Sequence, residues 1–277
     1  MIFAMAAFAI EDVYIKAVAS EMPVSQVLVL FGLGGAMVFL SVSILRGESI
    51  LNVAVLSGPM LLRLVFEVTG RLFFTLAIAL SSLSSATVIL QATPLFVVAG
   101  AAIFFSEKVS FKHWLAIVVG LLGVVVIVQP GAGGFTPMSL LAVVGMLGFA
   151  GRDLASRAAP VSLSTSVLGF YGFLAIVLAG VLYRLKDASA FLTVTAEHGF
   201  ILCGAVFSGV AAYACLMKAM RTGAVAAVTP FRYTRLIFGV ACGVLLFNEQ
   251  LTINVIAGCC LIVMSGLFII TRQSDRQ

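Results

Sequence analysis

Charge is what this sequence has least of. Only 10% of its 277 residues are Asp, Glu, Lys or Arg, where a water-soluble domain carries roughly a quarter. So few charges cannot hydrate a surface of that size, which excludes a soluble globular protein. Histidine is scarcer still, with two residues, His113 and His198, each near a predicted helix end and without a motif around it. That disfavours an intramembrane phosphatase or transferase, which needs clustered His, Asp or Cys in a catalytic geometry. The five cysteines (Cys203, Cys215, Cys242, Cys259 and Cys260) lie in apolar stretches and form no CxxC. They read as small buried hydrophobes rather than metal ligands. No metal and no cofactor is expected.

What is present in quantity is apolar surface: 62% of the residues are hydrophobic and the mean hydropathy is +1.21. A spanning helix needs about 20 mostly apolar residues. Ten such runs occur, at 2–20, 24–45, 59–81, 84–105, 112–129, 137–158, 161–183, 198–220, 223–247 and 252–271. The chain starts inside an apolar run with no basic segment before it, and Glu11 and Asp12 interrupt that run. The run is therefore read as the first spanning helix rather than a cleaved signal. The longest connections, 46–58 and 184–197, leave no room for a soluble domain. Function must lie within the bundle.

Two passages recur. Phe8-Ala9-x-x-Asp12-x3-Lys16 matches Phe149-Ala150-x-x-Asp153-x3-Arg157 at an offset of 141, and Ser106-Glu107-x-Val109-Ser110 matches Asn248-Glu249-x-Leu251-Thr252 at 142. Ser110 and Thr252 are predicted helix N-caps. The chain thus reads as two five-helix halves, 1–130 and 137–272, with a short tail at 273–277. Five is odd, so the second half must enter the membrane from the opposite side. That makes an all-α integral membrane protein of ten transmembrane helices in two inverted repeats, an architecture of secondary transporters with substrate at the midplane between the halves.

The basic residues set an orientation. With both termini cytoplasmic, the inner side collects Arg46, Lys108, Lys112, Arg157, Lys218, Arg221, Arg272 and Arg276, against Arg184 and Lys186 outside. The excess agrees with the positive-inside rule. The net charge of +5 and pI near 9.1 therefore do not indicate nucleic acid, whose binders gather Lys and Arg on one polar face or in a tail.

Six further basic residues lie inside spans: Lys16, Arg63, Arg71, Arg152, Arg232 and Arg235. The acidic Glu11, Asp12, Glu67 and Asp153 join them. Each would cost about 2.5–3.5 kcal/mol at a helix centre if left alone. Asp12–Lys16 and Asp153–Arg157 are at i, i+4 and are predicted ion pairs, while Arg63, Glu67 and Arg71 form one stripe. Arg63, near a helix end, is expected to snorkel to the inner interface. Arg232 and Arg235 share a face and need an acidic group from another helix or a ligand. Glu11 and Arg152 occupy matching repeat positions with opposite charge.

Pro94 sits mid-span one turn after Gln91, and Pro230 lies early in the ninth span. Proline frees a carbonyl, which is tolerated where backbone lines a cavity, although a simple kink explains it equally well. Tyr213 and Tyr233 lie beside charged positions and could stack on a ligand. The glycines of Gly32-x-Gly34-Gly35 and Gly120-x-x-Gly123 are read as close helix packing.

These residues carry a resemblance. Ala86-Thr-Val-Ile-Leu-Gln-Ala-Thr-Pro94-Leu-Phe with Ser106-Glu107 and the Gly120/Gly123 helix, and Thr229-Pro230-Phe231-Arg232-Tyr233-Thr234-Arg235-Leu236 with Asn248-Glu249, resemble the EamA-type branch of the drug/metabolite transporter superfamily. Gly151-Arg152-Asp153-Leu154-Ala155-Ser156-Arg157 resembles a bacterial subgroup of it. The resemblance implies a multi-pass protein of the bacterial inner membrane, with a central cavity lined by spans 1, 3, 4, 6, 8 and 9. It also makes a cytoplasmic leader usual. This chain starts almost inside its first helix, as a trimmed N-terminus would.

The function so predicted is alternating-access transport of a small polar metabolite. The candidate substrate-binding residues are Glu11, Glu67, Arg71, Gln91, Arg152, Tyr213, Arg232 and Tyr233. The candidate ion-pair residues are Asp12, Lys16, Asp153, Arg157 and Arg235. Arginine can fork a carboxylate and glutamate can meet an ammonium or sulfonium, which suits a zwitterion such as an amino acid. Members of the superfamily have been linked to S-adenosylmethionine and to riboflavin. A riboflavin or nucleoside carrier and an exporter of lipophilic cations are the alternatives, the latter opposed by the basic groups. A channel is disfavoured because charges of both signs sit at depth rather than one ring of like charge. Beyond the lipid bilayer and the small-molecule substrate, the expected partners are few: a proton taken by Glu11 or Glu67 or a counter-substrate for coupling, and at most a second copy, since monomer and homodimer both fit.

Overall fold

The computed structural model describes residues 1–104, 111–128, 137–160, 162–186, 189–222 and 229–274, and every regular element among them is helical. The helices are α1 (Ile2–Ala19), α2 (Val24–Leu45), α3 (Gly58–Leu80), α4 (Leu83–Leu90), α5 (Thr93–Phe104), α6 (Phe111–Val128), α7 (Pro137–Arg157), α8 (Thr165–Lys186), α9 (Ala196–Thr222), α10 (Thr234–Phe247) and α11 (Ile253–Ser274). A 3₁₀ turn, Thr229–Tyr233, leads into α10. Ser106, Glu107, Lys108, Ser110, Arg276 and the end of the tail lie outside the described residues, as do the side chains of Lys112, His113, Arg221, Pro230 and Arg272.

Five helical stretches are long and apolar enough to cross a membrane: Val24–Leu45, Leu83–Phe104, Met138–Arg157, Thr165–Lys186 and Ala196–Ala219. Helices α1 and α3 reach spanning length but carry three charged residues each, Glu11, Asp12 and Lys16 on one and Arg63, Glu67 and Arg71 on the other. On α1 the reason they are tolerated is visible in the periodicity. Ala4, Phe8, Glu11, Ile15 and Val18 recur at helical spacing on the buried face, while Ile2, Phe3 and Ile10 point outward. The polar groups thus face the bundle, where partners can be found, and the apolar ones face outward.

The fourth span, read from sequence as one helix over 84–105, is two helices. The break falls at Gln91–Ala92, where Pro94 cannot donate to the Leu90 carbonyl four residues back. The Thr93 hydroxyl takes over that carbonyl at 2.5 Å, so the interrupted ladder leaves no orphan there.

The helices pair in a pattern that survives exchange of the two halves. Helix α1 packs on α9 and α3 on α7; α1 packs on α10 and α7 on α4 and α5; α2 packs on α9 and α8 on α3. The remaining major pairs, α2 with α8, α4 with α10 and α6 with α11, map onto themselves. Backbone approach sets the α3–α7 seam, where a β-carbon on Gly148 would strike the Gly70 backbone. Gly123 faces the Gly258 carbonyl across the α6–α11 seam, and Gly32 faces Val177 across α2–α8. Small residues admit such close crossings, as the glycine patterning predicted. Thr252 caps α11, its hydroxyl accepting from the Val255 N–H at 3.4 Å.

Candidate functional site

Buried charge converges where the two halves meet. Glu11, Asp12, Arg63, Glu67, Arg71, Arg152 and Asp153 are all buried, Glu11 being 0% and Asp12 1% exposed. Arg71 donates from Nη1 to Glu11 Oε1 at 2.5 Å. Arg235 donates to Asp12 Oδ2 at 2.6 Å. Arg152 reaches Glu67 at 3.3 Å and grips Asp153 Oδ1 through Nε and Nη2 at 3.0 and 2.9 Å. Arg232 closes the chain on Asp153 Oδ2 at 2.7 Å. Aromatic faces support the cations: Arg235 lies 4.9 Å from the Phe8 ring centre, Arg152 4.7 Å from Phe149 and Arg71 5.2 Å from Phe31, all within cation–π range.

This wiring corrects two expectations. Asp12 and Lys16 do not pair along their helix. Asp12 turns to Arg235, and Lys16 donates to the carbonyls of Ile78 and Ser81 at 3.0 and 2.6 Å and meets Glu249 at 3.6 Å. Asp153 serves Arg152 and Arg232, and Arg157 stands exposed in the last turn of α7. Desolvation is the reason: the buried Asp12 carboxylate needs a partner inside the bundle, where Arg235 reaches it. Arg63 does not snorkel either. It is 2% exposed, donating to Ser156 Oγ at 2.9 Å, to the Leu168 carbonyl at 3.4 Å and to the Tyr213 hydroxyl, with Glu67 at 3.6 Å. Packing of α3 against α7 and α8, with Tyr213 reaching in from α9, surrounds it with acceptors that its own helix does not reveal.

Beside the charges lies a cavity lined by Met5, Phe8, Arg71, Leu90, Gln91, Thr93, Pro94, Phe149, Arg152, Leu216, Arg232 and Arg235. These come from spans 1, 3, 4, 6, 8 and 9. Water centres have about 40 Å³ there, room for a few waters and not for a metabolite. Among the described residues, four guanidinium groups and no carboxylate form its wall; Glu11, Asp12, Glu67 and Asp153 stand behind their arginines. With its nitrogen toward the Arg232 carbonyl (3.3 Å) and its oxygen toward the Leu236 N–H (3.0 Å), the Gln91 amide ties the α4–α5 break to the start of α10. That orientation is set by its hydrogen bonds. The α4–α5 break of the first half and the 3₁₀ turn of the second therefore meet at the cavity.

Of the eight substrate-site candidates, Arg71, Gln91, Arg152 and Arg232 line the cavity. Glu11 and Glu67 form the layer behind, Tyr213 sits with Arg63, and Tyr233 is buried off the lining with its hydroxyl unpartnered among the described residues. Arg235, foreseen only as an ion-pair residue, is on the wall. Met5, Phe8, Phe149 and Leu216 were missed. Apolar lining carries no sequence signal that separates it from ordinary core, although Phe8 and Phe149 stand at matching positions of the repeated motif.

Comparison with known proteins follows the same lines. The profile of the EamA-like transporter family matches residues 1–129 and 136–271. The S-adenosylmethionine uptake transporter of Rickettsia conorii is 30% identical over 202 residues, 73% of this chain and 67% of its own. The riboflavin transporter of Vibrio cholerae is 28% identical over 192 residues, 68% of this chain and 64% of its own. A solved crystal structure superposes over 99% of this chain and 98% of its own with a TM-score of 0.66 at 18% identity, a likeness of fold. The family match runs through both halves of the bundle, and the chain belongs to the EamA-like transporter family: a multi-pass membrane protein that transports a small metabolite, and not an enzyme.

Proposed function

We propose that this protein moves a small zwitterionic, amino-acid-like metabolite, with S-adenosylmethionine the leading candidate, across the bacterial inner membrane by alternating access. The observation that carries this reading is the cavity walled by Arg71, Arg152, Arg232 and Arg235 at the junction of the two halves. Guanidinium groups in a partly dry site fork a carboxylate far better than water does. The carboxylates behind them are within reach of a substrate's cationic group once their arginines turn to the ligand. Lipophilic cations are disfavoured, because the charged groups on the wall are guanidiniums and the network keeps a net positive charge. The names of the relatives point the same way, and the riboflavin transporter keeps that alternative in the test.

In this reading the halves are inverted repeats, with both termini cytoplasmic, and the cavity is the closed intermediate between inward- and outward-open states. The helix pairing that survives exchange of halves supports it, since each half can then rock against the other around the same site. The test is thermal stabilisation of purified protein by amino acids, S-adenosylmethionine, riboflavin, nucleosides and cationic drugs, because a ligand that binds the folded form raises Tm by mass action. A zwitterion should raise Tm, and Arg232→Ala should abolish that shift together with uptake. Unchanged uptake in Arg232→Ala, or stabilisation by lipophilic cations alone, would overturn the assignment.

A further inference from the structure

Asp153 is held as a bound substrate carboxylate would be. One oxygen sits in the Nε–Nη2 fork of Arg152 and the other takes Nη2 of Arg232. Both arginines line the cavity and Asp153 does not. Its repeat counterpart Asp12 is held differently, by one bond to Arg235, with Oδ1 left unpartnered among the described residues. Across the whole network, Arg63, Arg71, Arg152, Arg232 and Arg235 face Glu11, Asp12, Glu67 and Asp153, so the described residues leave an excess of one positive charge. Nε of Arg71 and of Arg235 are buried without hydrogen-bond partners among those residues, as are Glu11 Oε2 and Glu67 Oε2. By charge the site is short of one anionic group, and Asp153 serves two arginines at once.

We infer that Asp153 is an internal competitor for the carboxylate of the transported molecule. An entering carboxylate takes Arg232 from Asp153, which stays on Arg152, and the exchange releases the α7-to-α10 tie that holds the cavity shut. The empty carrier then keeps its buried arginines paired, and only a ligand with a carboxylate can replace that pairing. Binding and opening become one event. This rests on the cavity being the transport site and names the substrate group that the site reads.

The experiment uses formate and acetate, which need no knowledge of the substrate. Asp153→Ala removes the competitor and leaves a hole of about carboxylate size. Formate or acetate at millimolar concentration should raise the Tm of Asp153→Ala above that in equal chloride, leave wild type unmoved, and lose the effect in Asp153→Ala/Arg232→Ala. Absence of anion-specific rescue, or rescue that ignores Arg232, overturns the inference. Asp153→Asn, which keeps the shape, should bind a carboxylate ligand on the order of tenfold more tightly, because the competing closed state is weakened. The matching carboxamide should gain nothing. If neither variant folds even when purified in formate, Asp153 is a fixed structural counter-ion and the competitor role is wrong. Failure of formate rescue beside ligand binding that still needs Arg232 would remove only this inference. Rescue beside ligand binding indifferent to Arg232 would instead remove the transport-site reading and the competitor role resting on it.

Discussion

Helices α1 and α7 carry the same motif and use it differently. Both present a phenylalanine under an arginine, Phe8 under Arg235 and Phe149 under Arg152, and both spend their aspartate on an arginine of the segment that opens α10. Before the aspartate they diverge: α1 has Glu11 and α7 has Arg152. On α1 two adjacent acids each hold one arginine brought by another helix. On α7 the arginine and aspartate hold each other and still reach Glu67 and Arg232. The repeat thus preserves how the helices seat against their partners, and the sign of one residue sets what each of the two helices offers the cavity. At that position α1 supplies an acid that stands back, and α7 supplies a guanidinium that stands forward.

The sharpest way to break that comparison is to remove one member of the α1 network. Arg71→Met leaves Glu11 buried without its cation, and breaking a buried pair in this way costs about 3–5 kcal/mol. Glu11→Gln/Arg71→Met should recover most of the loss, because no uncompensated charge remains. Detergent melting of the three proteins reads this directly. A double variant as unstable as the single one would show that the pair matters for packing rather than charge.

The seams of the two halves differ as well. On the α3–α7 seam, Gly148 faces the backbone of Gly70, which cannot move aside without shifting a helix. On the α1–α9 seam, Gly204 faces the ring of Tyr14 at 2.6 Å, and a partly buried side chain can turn. Gly148→Ala should therefore cost about 1–3 kcal/mol, in the range of overpacked cores, and Gly204→Ala less. Equal losses in Tm for the two would mean that the Tyr14 ring is as fixed as a backbone.

Much of this was legible from local pattern. Hydropathy placed the ends of α1, α2 and α3 within a residue or so, the proline at position 94 marked where the fourth span departs from a regular helix, and Thr252 marked the cap of α11. Burial cost alone singled out Arg71, Gln91, Arg152 and Arg232, which reach the cavity wall. What sequence could not show was partner choice. Spacing along one helix offers Lys16 to Asp12, and only the fold reveals that Arg235, distant in the chain, arrives at the same place with less water around it. Arg63 failed for the same reason, since the Ser156, Leu168 and Tyr213 groups that receive it come from three other helices.

The smallest expected effect separates the last residues of the two motifs. Lys16 is partly buried and spans an end of the bundle. It satisfies the terminal carbonyls of α3 at Ile78 and Ser81 and meets Glu249, whose two oxygens accept the Leu83 and Ser84 N–H groups at the start of α4 at 2.6 and 2.9 Å. The α3–α4 turn is thereby fastened from both sides, by a lysine of the first half and a glutamate of the second. Arg157, at the matching place, is exposed. Lys16→Met keeps the aliphatic stem and removes the charge, leaving Glu249 its backbone donors. The loss should be about 1.5 kcal/mol, the low end for hydrogen bonds made by a charged group, because the site is half-wet. Arg157→Met should fall within ~0.5 kcal/mol, as exposed charges do. Lys16→Met should also raise reactivity toward a membrane-impermeant thiol reagent at a cysteine placed at Ser82, since the turn it fastens becomes easier to open. Labelling unchanged by Lys16→Met, with stability lost all the same, would make Lys16 a brace of the closed bundle and not part of what opens.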